Sequence, residues 1–195
     1  MEIVFHPHPT LRRKSRSLVR VDAELKRIAA RMFDLMYDAK GIGLAANQVG
    51  LPLRMFVMNL AGKRGEGEEL VVINPVLSKP RGTEAMEEGC LSLPGIYHEV
   101  TRPRQITIDA YSLTGDPIRG ELDGMLSRCV QHEYDHLEGV LFYDRVAEGA
   151  RQQIEDELEE FEVDFESRQS QGGIASDEEI ARFCAEIEQR YCQPK

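Results

Sequence analysis

The sequence predicts an α+β fold: mixed or antiparallel strands packed around a central helix, with a C-terminal helical extension. Three observations predict it. Strand-like runs come before and between helices without regular βα alternation, which argues against a doubly wound parallel sheet. Residues 105–111 alternate, with Ile106, Ile108 and Ala110 on one face and Thr107 and Asp109 on the other, as a half-buried strand does. The last stretch of chain carries two apolar stripes at helical spacing, separated by glycines. At 195 residues, 42% hydrophobic and 30% charged, the chain fits one domain with an appendage, and its composition argues against wholesale disorder.

Taken in order, Met1-Glu2-Ile3-Val4-Phe5 reads as the start of a strand. Arg12, Arg13, Lys14, Arg16 and Arg20 read as a solvated basic loop. Residues 22–40 form the first helix, with Asp22 as N-cap, Leu25, Ile28, Ala29, Met32 and Met36 as its apolar stripe, and Gly41 just past its end. Strands are predicted over 53–58 and 70–73, joined by a polar, glycine-rich loop at 61–67. After the 105–111 strand, Gly115-Asp116-Pro117 turns into a short strand over 118–122. The central helix spans 124–138 and ends at Gly139. In the extension, Ile154, Leu158, Phe161 and Phe165 make one stripe, and Ile180, Phe183, Cys184, Ile187 and Tyr191 make the other. Gln171-Gly172-Gly173 separates them, and Ser176 with Glu179 makes a capping box. The division follows: residues 1–147 as a catalytic domain, 148–195 as an acidic helical hairpin.

The net charge of −10 is concentrated in that hairpin. Residues 151–195 hold 5 Lys+Arg against 13 Asp+Glu, a net of −8, which leaves −2 for the rest. This balance argues against a stable nucleic-acid complex. No apolar run approaches the roughly 18 residues that span a bilayer, so no membrane partner is expected. The N-terminus lacks a basic segment followed by an apolar one, and the four cysteines are widely spaced. Both features point to reduced thiols in the cytoplasm.

The strongest chemical signal is His132-Glu133-Tyr134-Asp135-His136. On a helix, residues i and i+4 share a face, so both imidazoles reach one metal ion while Glu133, at the edge of that face, can contact a water on it. Cys129, Val130, Leu137 and Val140 around the motif place the helix in the core and argue against two merely surface histidines. A catalytic ion of this type takes three protein ligands and leaves one position open. Cys90, within Glu87-Glu88-Gly89-Cys90-Leu91-Ser92, is the better third ligand. A thiolate with two imidazoles suits zinc or ferrous iron. Cys129, one turn before His132, competes for the role, but a small buried hydrophobe is the simpler reading of it. In Gly41-Ile42-Gly43-Leu44-Ala45-Ala46-Asn47-Gln48 the small residues let backbone approach a ligand, and Gln48 offers an amide donor to an oxyanion.

Those three segments, in this order and approximate spacing, resemble the peptide deformylase family, and the likeness runs over about residues 3–147. The resemblance implies that Cys90, His132 and His136 hold the metal and that a water on it attacks the formyl carbon of N-formylmethionine. It implies that Glu133 takes a proton and returns it to the departing amine, and that the Gln48 amide and the Leu91 N–H stabilise the oxyanion. Ile42, Gly43, Leu44, Met86, Gly89, Met125 and Cys129 would surround the methionine side chain, and Arg102 would contact the substrate's peptide backbone or far end. Fe2+ is then the expected physiological ion, replaceable by Zn2+, Ni2+ or Co2+. Nascent formyl-methionyl chains are the expected partners, with transient ribosome contact. Many relatives end in one basic helix, and the acidic hairpin departs from that pattern. It offers its aromatic residues either to the body or to a homodimer.

Two other readings compete. A peptidase cutting internal bonds would need a downstream Glu or His ligand in place of Cys90. A structural metal site would need a fourth protein ligand, for which Cys129 is the nearby candidate, and would leave Glu133 without a role.

Overall fold

Asp22 starts the first helix with its own carboxylate, which accepts from the N–H groups of Glu24 (3.0 Å) and Leu25 (2.8 Å). The helix, α1, spans Ala23–Asp38. Lys40, not Gly41, takes the left-handed conformation after it (φ 57°). The computed structural model describes residues 1–193, without the side chains of residues 150 and 153.

Among the described residues seven strands follow the order of the chain: β1 (Gly43–Ala45), β2 (Met55–Met58), β3 (Leu70–Arg81), β4 (Glu84–Cys90), β5 (Leu93–Arg102), β6 (Gln105–Tyr111) and β7 (Pro117–Asp123). Five form one antiparallel sheet in the order β1-β2-β3-β6-β7, and β4 pairs with β5 as a separate long hairpin. Helix α2 (Gly124–Leu137) packs on one face of the five-stranded sheet and α1 on the other. This explains the unbroken apolar run Met55–Met58. Met55 and Val57 join the cluster around Leu25, Ala29, Met32 and Met36, while Phe56 and Met58 join Cys129, Val130 and Leu137 of α2. A strand buried on both faces has no polar side to alternate with. The fold is therefore α+β with antiparallel sheets around α2.

Four local expectations need correction. Residues 1–5 form no strand, although Val4 N–H donates to Gln48 O (2.8 Å) and His6 N–H to Ser92 O (3.0 Å). Strand β3 runs past residue 73 through Pro75 and Pro80, because bulges at residues 73–76 and 78–81 absorb the missing donors. The β4–β5 hairpin was not anticipated. Its inner side buries Cys90, Leu93, Ile96 and Val100 against Phe142 and Tyr143, and this packing overrides the weak strand propensity of its glutamates, Pro94 and Gly95. Finally, the basic segment is not simply solvated. Arg12 pairs with Asp144, Lys14 with Glu138 (2.6 Å), and Arg13 (2.7 Å) and Arg16 (3.4 Å) with buried Glu188.

Glu188 lies on the second helix of the extension, α4 (Asp177–Cys192), which follows α3 (Glu148–Ser170). Ile154 of α3 and Tyr191 of α4 are fully buried against the body. Phe183, placed in the second stripe by its spacing, instead faces solvent at 47% exposure. Among the described residues, no helix is long and apolar enough to cross a membrane.

Candidate metal centre

Helix α2 carries His132 and His136 one turn apart, so their rings lie together with centroids 5.0 Å apart. The third group arrives from the hairpin. Pairing of β4 with β5 shifts register between Gly89 and Cys90, and the shift turns the end of β4 toward α2. Cys90 Sγ then stands 3.3 Å from His136 Nε2, and one ligand atom from each of Cys90, His132 and His136 lies within 4.8 Å of the others. That spread fits one ion with bonds of roughly 2.0–2.3 Å.

The two imidazoles differ: burial works against a charged His132, but Cys90 and Glu88 overcome it and raise the ring to about 10, so binding an ion there displaces a proton. Desolvation, then the charges of His132 and Arg102, hold His136 well below its ordinary value, so its ring is neutral as metal ligation requires. His132 Nδ1 is fixed by Glu88 Oε2 at 3.0 Å. A carboxylate behind a histidine in this way fixes the ring's orientation and raises its basicity. Burial works against a charged Glu88, but Arg102 and His132 overcome it and hold the carboxyl far below the usual range. Cys129 does not join the group. It is buried among apolar side chains with Sγ 3.8 Å from Ile42 O, and desolvation followed by the charge of Glu133 keeps it a thiol. A closed four-ligand structural site is therefore absent among the described residues.

Glu133 points into the same space. Its Oε2 is buried without a hydrogen-bond partner, and burial pushes its carboxyl up to about 7. A buried carboxylate oxygen without a partner, beside three convergent ligand atoms, fits a water on a bound cation. Gly43 makes room for it: a Cβ there would fall 2.3 Å from Glu133 Oε1. Gln48 is also buried. Its Oε1 accepts from Ala45 N–H (2.8 Å), which turns its Nε2 toward Cys90 Sγ (3.4 Å) and Ser92 Oγ (3.3 Å).

A cavity of about 680 Å3 opens over these groups. Of the residues expected there, Ile42, Gly43, Gln48, Met86, Gly89, Leu91, Met125 and Cys129 line it. Two do not. Leu44 is fully buried in the α1 cluster, because alternation along β1 turns its side chain to the opposite face from Gly43. Arg102 lies behind the site. Its guanidinium grips Glu88 at 2.7 and 2.8 Å and Asp135 at 2.6 Å, and all three side chains are almost wholly buried. Arg128 adds a bond to Glu88 Oε1 (2.8 Å), and Arg145 pairs with Asp135. Arg102 thus supports the ligand helix.

Sequence reasoning missed Glu88, Arg128, Asp135 and Arg145 as a set. One signal was available: Arg128 precedes His132 by four residues and shares its face of α2. It also missed Tyr97, whose ring lies over Gly89, where a Cβ would meet it at 2.4 Å.

The family model described as polypeptide deformylase matches residues 1–152. A peptide deformylase of Rhodopirellula baltica is 50% identical over 191 residues, covering 98% of this chain and 95% of that protein. The crystal structure of Arabidopsis thaliana peptide deformylase 1B in complex with an inhibitor superposes with a TM-score of 0.82 at 44% identity, covering 91% of this chain and 97% of that one. A peptide deformylase structure from Plasmodium falciparum gives a TM-score of 0.82 at 39% identity, over 85% and 98% of the two chains. With the family model matching most of its length and a relative at this identity, the chain belongs to the peptide deformylase family.

Proposed function

We propose that this chain hydrolyses the N-formyl group of newly made polypeptides at the site formed by Cys90, His132, His136 and Glu133. The observation that carries this reading is the buried, unpartnered Glu133 Oε2 beside three convergent ligand atoms at the floor of an open cavity. Cys90, His132 and His136 would hold a divalent ion, which supplies Lewis-acid activation of water. We take Fe2+ as the physiological ion, with Zn2+, Ni2+ or Co2+ able to replace it.

The chain's own groups do the rest. Glu133, held near neutrality, accepts the proton of the attacking water as its oxygen bonds to the formyl carbon. The same carboxyl delivers that proton to the amine nitrogen as the C–N bond breaks, releasing formate and a free N-terminus. The Gln48 amide, held by Ala45 N–H, and the Leu91 N–H donate to the oxygen on which negative charge develops. Ile42, Gly43, Met86, Gly89, Leu91, Met125 and Cys129 enclose the methionine side chain. Two methionines in that wall suit an unbranched thioether.

We place this activity in the cytoplasm, with transient contact to the ribosome. We treat residues 1–147 as the catalytic unit and 148–195 as an appended hairpin. The hairpin packs Ile154, Phe165 and Tyr191 on its own body. A homodimer through it would rest on the exposed Val163 and Phe183.

The test is formate release from formyl-Met-Ala-Ser by protein purified anaerobically with ferrous iron, with Glu133→Ala at equal iron content. The parent should turn over, and the variant should lose about 100- to 10,000-fold. No formate from the iron-loaded parent would sink the reading.

A further inference from the structure

A second groove, of about 350 Å3, lies where the N-terminal segment meets the hairpin of α3 and α4. His6, Phe161, Phe165, Ile174 and Ala175 are among its walls. Three residues, Ile3, Phe5 and Pro94, line both this groove and the cavity over the metal centre. The two are therefore continuous along one strip of apolar surface. Phe5 and Pro94 are exposed on that strip, and Phe161 and Ile174 are half-buried beyond it.

We infer that the groove is a second peptide-binding site, which takes an apolar or aromatic side chain from the substrate a few residues downstream of its formylated end. The inference rests on the reading of the cavity given above. A polypeptide whose formyl group reaches Glu133 has one free direction, outward through the cavity mouth. A chain leaving over Ile3, Phe5 and Pro94 enters the groove directly, and at about 3.3 Å per extended residue four to seven residues cover roughly 13–23 Å. His6 is buried in its wall, with Nε2 facing Glu162 Oε1 at 3.4 Å and an Nδ1 that has no partner among the described residues. With Nε2–H donating to Glu162, that nitrogen is an acceptor only, and it is shielded from the open space of the groove. The site would make the acidic extension part of substrate binding, through its α3 face and the turn before α4.

The chain has no tryptophan, so an indole on the peptide reports its own burial. The experiment uses metal-loaded protein and formyl-Met-Ala-Ser peptides lengthened with Gly and Ser, with one Trp walked from position 4 to position 7. At one or two positions kcat/KM should rise about ten-fold over the Trp-free peptide of equal length, mostly through KM, as partial burial of an aromatic ring provides. Acetyl-blocked versions of the same peptides should show blue-shifted fluorescence on binding. Ile174→Asp and Ala175→Phe, which respectively charge and fill the groove, should return the ratio of long-peptide to tripeptide kcat/KM to about one. A ratio below two at every Trp position, or a gain that survives both variants, overturns the proposal while leaving the tripeptide reaction intact. Failure to hydrolyse any peptide, the tripeptide included, overturns the reading of the cavity and this inference with it.

Discussion

Replacing Arg102 with methionine should weaken both the fold and the metal centre, although Arg102 touches neither the cavity nor a ligand. Its guanidinium joins Glu88 through two bonds of 2.7 and 2.8 Å and Asp135 through one of 2.6 Å, with side-chain exposures of 3%, 6% and 5%. Removing one partner from a buried ion pair costs about 3–5 kcal/mol, because the charge left behind is desolvated and unpaired. Here Glu88 keeps Arg128 and Asp135 keeps Arg145, which argues for the low end, about 3 kcal/mol. For a chain of this size that is a fall in Tm of roughly 6–12 °C. A second effect follows from geometry. Glu88 also holds His132 Nδ1, so a displaced Glu88 frees the ligand ring, and loss of such a support lowers metal affinity roughly 10- to 100-fold. Thermal unfolding by circular dichroism and competition with a metal chelator measure the two effects. A Tm within about 2 °C of the parent, with unchanged chelator competition, would refute the claim that this network holds the ligand helix.

Three further outcomes follow from the same geometry. Gly43→Ala should retain its metal but lose at least about 100-fold in formate release, because the new Cβ displaces Glu133; near-parental activity would show that Glu133 is not confined there. Cys129→Ser should bind metal as the parent does while losing about 1–2 kcal/mol of stability in urea, the cost of burying a hydroxyl among apolar groups; loss of metal would make Cys129 a ligand. For pH, burial tends to raise Glu138, but Lys14 and Arg54 overcome it and hold its carboxyl below the ordinary 4.5. Its contribution to stability is therefore fully present above about 4.5 and is lost as pH falls through the lower folded value. Urea unfolding between pH 3 and 6 should show Glu138→Gln losing less stability on acidification than the parent, and identical slopes would contradict the ion-pair account.

Much of the site was legible because its signals are local. The i, i+4 histidines, the carboxylate between them and the cysteine beside Gly89 lie within short stretches, and ligand chemistry restricts which residue types can converge. The strand at Met55–Met58 was legible as an apolar run, though not its burial on both faces, and the hairpin extension was legible in its stripes and capping box. What was illegible depends on distant partners. Arg13 and Glu188 are separated by 175 positions, so nothing near Arg13 reveals that its charge is taken. Arg102 and Asp135 are 33 apart, and an arginine in a strand looks the same whether it faces solvent, substrate or a buried carboxylate. The β4–β5 hairpin was hidden for another reason. Glu84, Glu87 and Glu88 depress strand propensity locally, and the apolar surface that stabilises the pair comes from Phe142 and Tyr143. Leu44, expected in the cavity wall from the family resemblance, faces away from it because side chains alternate along β1.

The central claim is that Cys90, with His132 and His136, holds the catalytic ion, and the electronic spectrum of the cobalt-substituted protein tests it most directly. The parent and Cys129→Ser should each bind one Co2+ per chain and show a thiolate-to-cobalt charge-transfer band. Cys90→Ser should lack that band at the same cobalt content or fail to retain the ion. A band that persists in Cys90→Ser and disappears in Cys129→Ser would contradict the account.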